Sequence, residues 1–436
     1  MAIPATNTLF LALTRLGRSQ SVRLWLLVVI AATLPFALLF NSFLIILLGV
    51  QWLLEGRFRE KYQRLRQHPL ALAWMAFYVL HLFGMLYTTD LASGKGDLEV
   101  KLSFLVLPLL LGSVAPLARQ HVRWITYAFV AASTAVAFYC LGRAGLAYLR
   151  DGNTNHFFYH DLGNFVGIHA VYFAVYLTFC LFVLADYLIR HRGEGHSRAR
   201  WGAGLLMLLF TAVIILLSSK TLILLLVVYL NVFLVLYASR GRRRYVFGAM
   251  VAANVLIGTA LFSLPFVRER FHNALTTDFS YLRQGEYEFY YTGVSLRVAI
   301  WKVCLDIVRE RRAWLWGVGT GDGQPLLDDK YHAYGFYTGD ATDHGILGYN
   351  AHNQYMQFLL SVGLLGLVTF LALLVLSVRL AVRSDQHLLT ALLVLLAVSC
   401  LTESVLCRQK GVVFFMLFYC LYTFHSASQS SIAPRT

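Results

Sequence analysis

The sequence predicts an all-α polytopic membrane protein, and its composition and hydropathy pattern carry that prediction. Of its 436 residues, 58% are hydrophobic and 14% are charged, and the mean hydropathy is +0.63. Soluble domains carry about 25% charged residues, so this chain has too few to cover a water-exposed globule. Its apolar runs are continuous and do not alternate with polar residues, which excludes a transmembrane β-barrel.

Twelve apolar segments are predicted to be membrane helices, each of which needs about 20 residues to cross a bilayer. They are residues 24–40, 42–54, 70–87, 102–115, 123–148, 164–189, 201–217, 221–238, 246–264, 352–378, 388–403 and 411–425. The segment 42–54 is short enough to be re-entrant instead. Turns are expected at Asn41-Ser42 and at Ser218-Ser219-Lys220, because both flanks of these paired segments are basic and the chain must cross an even number of times.

The net charge of +15 is explained by the predicted topology. With the N-terminus in the cytoplasm, 21 of the 37 basic side chains but only five of the 22 acidic ones fall on the cytoplasmic side. This is the positive-inside pattern of membrane proteins. Nucleic acid is therefore not needed to explain the basic excess.

The spacing of the helices divides the chain into three parts. Residues 1–264 hold the first nine helices, residues 265–351 form one large outer loop domain, and residues 352–436 hold the last three helices and a cytoplasmic tail. Within the loop, residues 295–312 put apolar side chains on one helical face and charged ones on the other. This pattern predicts an amphipathic helix that lies on the membrane or packs on the bundle.

Ionisable residues gather at the predicted outer ends of the helices, where a charge is costly and is a functional candidate by default. Taken singly, each is explained by snorkelling or helix capping, but their common position favours a cationic site for an anion. The candidates are Lys101, Arg143, His169, Lys220, His352, Glu403, Arg408 and Lys410, together with Arg297 of the outer loop.

The most specific motif is His352-Asn353, then nine residues, then Gly363-x-x-Gly366. A histidine at a helix start can accept a proton, and the exposed N–H groups there favour a phosphate. Four further motifs accompany it: Lys101 to Pro108, Ser219-Lys220, Arg297-x3-Trp301 followed by Gly317-x-Gly319-x-Gly321, and Glu403-x-x-Leu406 before Gly411. Over about residues 70–425 this set resembles the bacterial O-antigen ligases and the wider superfamily of O-antigen polymerases and O-oligosaccharyltransferases.

The resemblance implies a GT-C-like fold in the bacterial inner membrane, with both termini in the cytoplasm and a periplasmic active site. It implies inverting transfer of polysaccharide from undecaprenyl diphosphate to lipid A–core, without cofactor, metal or nucleotide. His352 would be the general base, and Arg297, Lys220 and Lys101 would bind the diphosphate. The secondary candidates are Arg143, His169, Asn353, Glu403 and Arg408.

Several alternatives remain open at the level of sequence. An O-antigen polymerase or a protein O-oligosaccharyltransferase would carry the same motifs, and a polytopic transporter or flippase would have a similar number of spans. Transporters place their sites near the midplane and often show repeat symmetry, whereas the charges here lie at one edge and no repeat is visible. The sixteen aromatic residues of the outer loop either anchor it at the membrane interface or stack on sugar rings.

Overall fold

The computed structural model describes residues 17, 19–36, 38–191, 197–237, 243–263, 265, 268–269, 272, 293–339 and 345–425. Within these ranges the chain is helical and contains no β-strand. Eight of the sixteen loop aromatics lie outside the described residues: Phe266, Phe271, Phe279, Tyr281, Tyr287, Phe289, Tyr290 and Tyr291.

The helices before residue 200 are α1 (Gln20–Thr33), α2 (Leu38–Glu55), α3 (Phe58–Arg66), α4 (Pro69–Gly84), α5 (Leu91–Lys101), α6 (Ser103–Gly112), α7 (Arg119–Asp151), α8 (Tyr159–Asn164), α9 (Ala170–Arg190) and α10 (Ser197–Leu216). Those that follow are α11 (Lys220–Tyr237), α12 (Arg243–Ser263), α13 (Gly293–Glu310), α14 (Gly323–Ala333), α15 (Gln354–Arg383), α16 (His387–Ser399) and α17 (Gln409–Cys420).

Each of the twelve predicted segments contains a helix, and this is an all-α membrane protein. By length and composition, α7, α9, α15 and residues Arg198–Leu216 of α10 are long and apolar enough to cross a membrane, and several shorter apolar helices accompany them. The number of twelve crossings stays a prediction. The segment 102–115 is represented by the ten-residue helix α6, which follows α5 after a break at Leu102.

The predicted turn at Asn41-Ser42 is wrong, because both residues lie inside α2. The chain turns at residues 34–36, where Pro35 has no N–H to continue the helical hydrogen bonds. The Asn41 side chain donates to the Thr33 hydroxyl at 3.0 Å and so ties the start of α2 to the end of α1. The predicted turn at Ser218-Ser219-Lys220 is confirmed: α10 ends at Leu216, and Ser218 adopts a left-handed φ of 52° before α11 begins.

The main hydrophobic core surrounds α9, which is buried along most of its length and packs against α7, α10, α11 and α16. A second cluster joins α13, α14 and the segment leading into α15. Its α13 members are Ala299, Ile300, Val303, Cys304, Ile307 and Val308. The predicted amphipathic helix is therefore confirmed, and its apolar face packs on neighbouring protein segments.

The long helices around the core run in both directions, so their ends sort into two groups. The starts of α9, α11, α15 and α17 lie with the ends of α7 and α16, and we call this region the site end. The starts of α7 and α16 lie with the ends of α9, α15 and α17 at the opposite end. The sequence candidates Arg143, His169, Lys220, His352 and Glu403 all fall at or near the site end.

Candidate functional site

The segment that leads into α15 holds its residues in a strained, locally bonded conformation. His352 has a left-handed φ of 42°, which non-glycine residues rarely adopt, and its N–H donates to the Asn350 side chain at 2.9 Å. The Asn353 side chain accepts from the N–H groups of Tyr355 and Met356 at 2.9 and 3.1 Å, which makes it the N-cap of α15. This cap fixes where the helix begins and therefore where the His352 ring lies.

The connection between α16 and α17 docks onto this helix start. The Gln354 N–H donates to the carbonyl of Cys400 at 2.9 Å, and its side-chain oxygen accepts from the Leu406 N–H at 2.7 Å. The Asn353 N–H donates to the Ser404 hydroxyl at 3.2 Å, and its side-chain amide donates to the Leu401 carbonyl at 3.1 Å. These bonds hold residues 400–406 against the start of α15 and so position Glu403.

His352 and Glu403 form a histidine–carboxylate pair at the centre of this junction. The ring Nδ1 lies 3.2 Å from Glu403 Oε2, and the two side chains are 21% and 6% exposed. Because a carboxylate only accepts hydrogen bonds, Nδ1 carries the proton and Nε2 is left as the ring atom that can take one up. Burial alone would raise the pKa of Glu403, but its hydrogen bond to His352 and the charges of His352, His169 and Arg297 hold that pKa below its ordinary value.

Arg297 reaches the same connection from α13. Its Nε donates to the carbonyl of Thr402 at 3.0 Å, and its Nη1 donates to the carbonyl of Gly293. The Thr402 hydroxyl lies 3.0 Å from the hydroxyl of Thr221, the second residue of α11, which brings the start of that helix and Lys220 next to it. A bond of 2.9 Å from the Trp301 indole to the Ala351 carbonyl fastens α13 beside His352.

His169 approaches the pair from the start of α9. Its ring caps that helix by accepting from the Val171 N–H at 3.4 Å, and its centroid lies 4.2 Å from that of His160. Burial and the neighbouring His160 lower the pKa of His169 to about 4, despite the opposing charge of Glu403. At neutral pH this ring is therefore uncharged and adds no positive charge to the site. The charge of the exposed Arg408, at the start of α17, also lowers the pKa of His169.

Two of the predicted cations lie apart from the His352–Glu403 pair. Lys101 is fully buried and forms an ion pair with Asp97 one turn earlier in α5. Its ammonium group is close enough to interact electrostatically with Cys407 in the α16–α17 connection, so Lys101 lies beneath the docked segment. Arg143 is exposed, and its guanidinium lies 5.7 Å from the ring of Phe165, in the segment that precedes His169. A role for either in binding diphosphate stays a prediction.

The two glycine motifs pack against each other, backbone to backbone. Gly363 interrupts α15 with a φ of 68°, and a Cβ there would come within 2.3 Å of the Leu315 carbonyl oxygen. Across the break, the Leu364 N–H donates to the Trp314 carbonyl at 2.7 Å, and the Val318 N–H donates to the Leu360 carbonyl at 2.8 Å. The Gly317-x-Gly319-x-Gly321 loop thus satisfies the backbone groups that the break exposes, a structural role.

The pairing of His352 with Glu403 was not predicted, although both were candidates. The two residues are 51 positions apart, and no local pattern connects them. Sequence reasoning also missed Thr402, Ser404 and Gln354, which position the pair through backbone and side-chain bonds. The only sequence signal for them is that they flank the motif residues His352-Asn353 and Glu403-x-x-Leu406.

These features define a class: an all-α membrane protein with a partly buried histidine–carboxylate pair, flanked by an arginine, where several helix ends meet. A family model described as O-antigen ligase matches residues 203–371, which include Lys220, Arg297, His352 and Gly363. Over these residues the chain is similar to the O-antigen ligase family, and the resemblance seen in the sequence is confirmed there. That family is associated in general with glycosyltransferase-like activity on lipid-linked glycans. A comparison with curated proteins gave no match.

Proposed function

We propose that this protein joins O-antigen polysaccharide to lipid A–core and takes the polysaccharide from undecaprenyl diphosphate. The proposal places the chain in the bacterial inner membrane with twelve spans in a GT-C-like arrangement. Both termini would be cytoplasmic, and the site end would face the periplasm. Residues 1–264 and 352–436 would form the membrane part, and residues 265–351 the periplasmic loop domain.

The His352–Glu403 pair is the observation that carries this proposal. Glu403 keeps the proton on Nδ1, so Nε2 can take the proton from an acceptor sugar hydroxyl as general base. The hydroxyl oxygen then forms a bond to the anomeric carbon while the bond from that carbon to the phosphate oxygen breaks. Undecaprenyl diphosphate leaves with the electron pair, and the anomeric centre is inverted. The buried Glu403 carboxylate stabilises the imidazolium that forms.

The leaving diphosphate would be stabilised by cations held beside the pair. Arg297 is fixed by bonds from Nε and Nη1 to backbone carbonyls, and Nη2 takes part in neither of these bonds. Preorganised donors of this kind favour the transition state because they do not have to reorganise as charge builds up. Lys220 at the start of α11, and Lys101 beneath the connection, would add positive charge. No step of this reaction calls for a nucleotide.

The decisive experiment uses the full chain purified in detergent, with undecaprenyl-diphosphate-linked polysaccharide and lipid A–core. The parent protein should join them without nucleotide and in the presence of a metal chelator. A His352→Ala variant should bind the donor but lose transfer by about 10²–10⁴-fold, the usual contribution of a general base. His156→Ala is the matched control, because His156 also pairs with a carboxylate, Asp151 at 2.7 Å, and should keep full activity.

The reaction products distinguish a ligase from the alternative functions. A polymerase would lengthen the lipid-linked donor and ignore lipid A–core, and an O-oligosaccharyltransferase would need a protein acceptor. A transporter would form no new bond and would move labelled donor across a vesicle membrane. Full transfer by a His352→Ala protein whose thermal unfolding matches that of the parent would refute the general-base assignment.

A further inference from the structure

A cavity of about 310 Å³ lies at the opposite end of the bundle from His352. It opens between the start of α7, the end of α9 and the connection from α15 to α16, and its lining includes the guanidinium-bearing residues Arg119, Arg123 and Arg190. None of the candidate site residues lines it. The transfer reaction therefore gives no reason for three arginines to converge here.

The charges around this cavity are unevenly paired. Asp186 accepts from Arg190 Nε at 2.7 Å, and Asp385 lies 3.3 Å from the ring of His387. In the described part of the chain, neither Arg119 nor Arg123 has a carboxylate oxygen within 4.0 Å. These two arginines are four residues apart, so they project from one face of α7. They leave an excess of positive charge at the rim of the cavity.

The residues at the base and the edge of the cavity indicate that it lies at the level of the lipid headgroups. The floor includes the bonded hydroxyls of Thr126 and Tyr422, 3.0 Å apart and buried. Beside the rim, Trp124 and Tyr127 are large aromatic side chains with 45% and 40% of their surface exposed. Tryptophan and tyrosine favour the headgroup level of a bilayer. An occupant of the cavity would thus have its polar group among the arginines and apolar surface beside it.

We propose that this cavity binds the headgroup of an anionic phospholipid, with its phosphate held by Arg119 and Arg123. Guanidinium groups bind phosphate through two parallel hydrogen bonds, which suits a fixed headgroup better than a mobile counterion. Basic pockets between membrane helices are a known form of lipid headgroup site. A lipid fits better than a free phosphate, because the exposed Trp124 and Tyr127 provide surface for its acyl chains.

The test measures lipid binding by the full chain in detergent, by native mass spectrometry with phosphatidylglycerol added in steps. Removing both charges in Arg119→Gln/Arg123→Gln should weaken binding about 30-fold, because each basic residue contributes about fivefold to the affinity. Arg379→Gln/Arg383→Gln is the matched control. These arginines are also exposed and four residues apart at the same end, but they do not line the cavity, so binding should be unchanged.

Thermal unfolding gives an independent measurement. Phosphatidylglycerol should raise the unfolding temperature of the parent and of the control, but not that of the double variant. If the double variant does not purify as a folded protein, the single variants Arg119→Gln and Arg123→Gln carry the test, each with an expected loss of about fivefold. Equal lipid binding by the parent and these variants would overturn the proposal, and so would an equal loss in the control.

A further arm distinguishes the lipid from other sources of phosphate. Inorganic phosphate at the same concentration should neither displace phosphatidylglycerol nor raise the unfolding temperature of the parent. If it binds as tightly as the lipid, the cavity is a site for free anions and the lipid proposal is wrong. All of these measurements are made without donor or acceptor, so their outcome is separate from that of the proposed transfer reaction.

Discussion

Replacing Glu403 by glutamine tests whether the carboxylate sets the protonation of His352. Glutamine keeps the size of the side chain and can still reach Nδ1 across the present 3.2 Å. Its amide group can donate to Nδ1, however, whereas the carboxylate only accepts. We expect the ring to move its proton to Nε2, the atom that has to accept the proton of the acceptor hydroxyl.

The magnitude follows from this change of tautomer. General-base catalysis contributes about 10²–10⁴-fold, and a base whose accepting atom is already protonated contributes none of it. We therefore expect Glu403→Gln to lower kcat by about 10²–10⁴-fold, as the amide replacement of a triad carboxylate does. The KM for the donor should change little. The double variant Glu403→Gln/His352→Ala should be no slower than either single variant, because both remove one function.

The assay is transfer to lipid A–core at saturating donor, with the unfolding temperature of each variant measured alongside. Glu310→Gln serves as the matched control, because it removes an exposed carboxylate that pairs with Lys330 at 2.7 Å and should leave kcat unchanged. If the losses of the two single variants multiply in the double variant, Glu403 acts independently of His352 and the reasoning is wrong. Parental kcat in a folded Glu403→Gln protein would refute it as well.

Three further outcomes are expected. Arg297→Ala should lower kcat severely, because a preorganised donor to the diphosphate is lost. Lys220→Ala should also lose transfer, whereas Lys220→Arg should keep it. Parental kcat in both alanine variants would contradict the diphosphate site. Gly363→Ala should lower the unfolding temperature, because the left-handed backbone alone costs a non-glycine residue about 1–3 kcal/mol and the new Cβ meets the Leu315 carbonyl. Gly142→Ala is the control and should not lower it, because the space around Gly142 is open. Because the pKa of Glu403 is lowered on folding, its contribution to stability is complete above its ordinary pKa of 4.5 and is lost as the pH falls through the folded-state value. The difference in unfolding temperature between the parent and Glu403→Gln should therefore shrink on acidification, and a constant difference would contradict the shift.

The class of the fold follows from the sequence alone. A helix in a membrane satisfies its backbone hydrogen bonds internally, so an apolar run of sufficient length specifies it without reference to partners. The same local logic predicted the turn at Ser218 and the amphipathic helix α13. The turn wrongly predicted at Asn41-Ser42 could also have been located from local sequence. Pro35, six residues earlier, ends α1 because proline has no backbone N–H to donate.

Motif residues were identifiable one by one, but their relations were not. The sequence placed His352 at a helix start and Glu403 at a helix end, and the structure brings them to 3.2 Å. It also placed Lys101 among the cations, whereas the structure buries it against Asp97. Such outcomes depend on how far each helix is rotated and displaced relative to its neighbours, and hydropathy contains no information about that.

The glycine motifs show the same division between local and tertiary information. Glycine spacing in the sequence indicates that the chain needs unusual backbone conformations at residues 317–321 and at Gly363. That the two segments bond to each other across the break in α15 is decided only when the loop folds back on the helix. The free energies of helix formation and of membrane partition are sums of local contributions along the chain, so the sequence alone determined both. A catalytic pair 51 residues apart, or a loop that caps a broken helix, exists only once tertiary packing has brought distant backbone segments within hydrogen-bond distance.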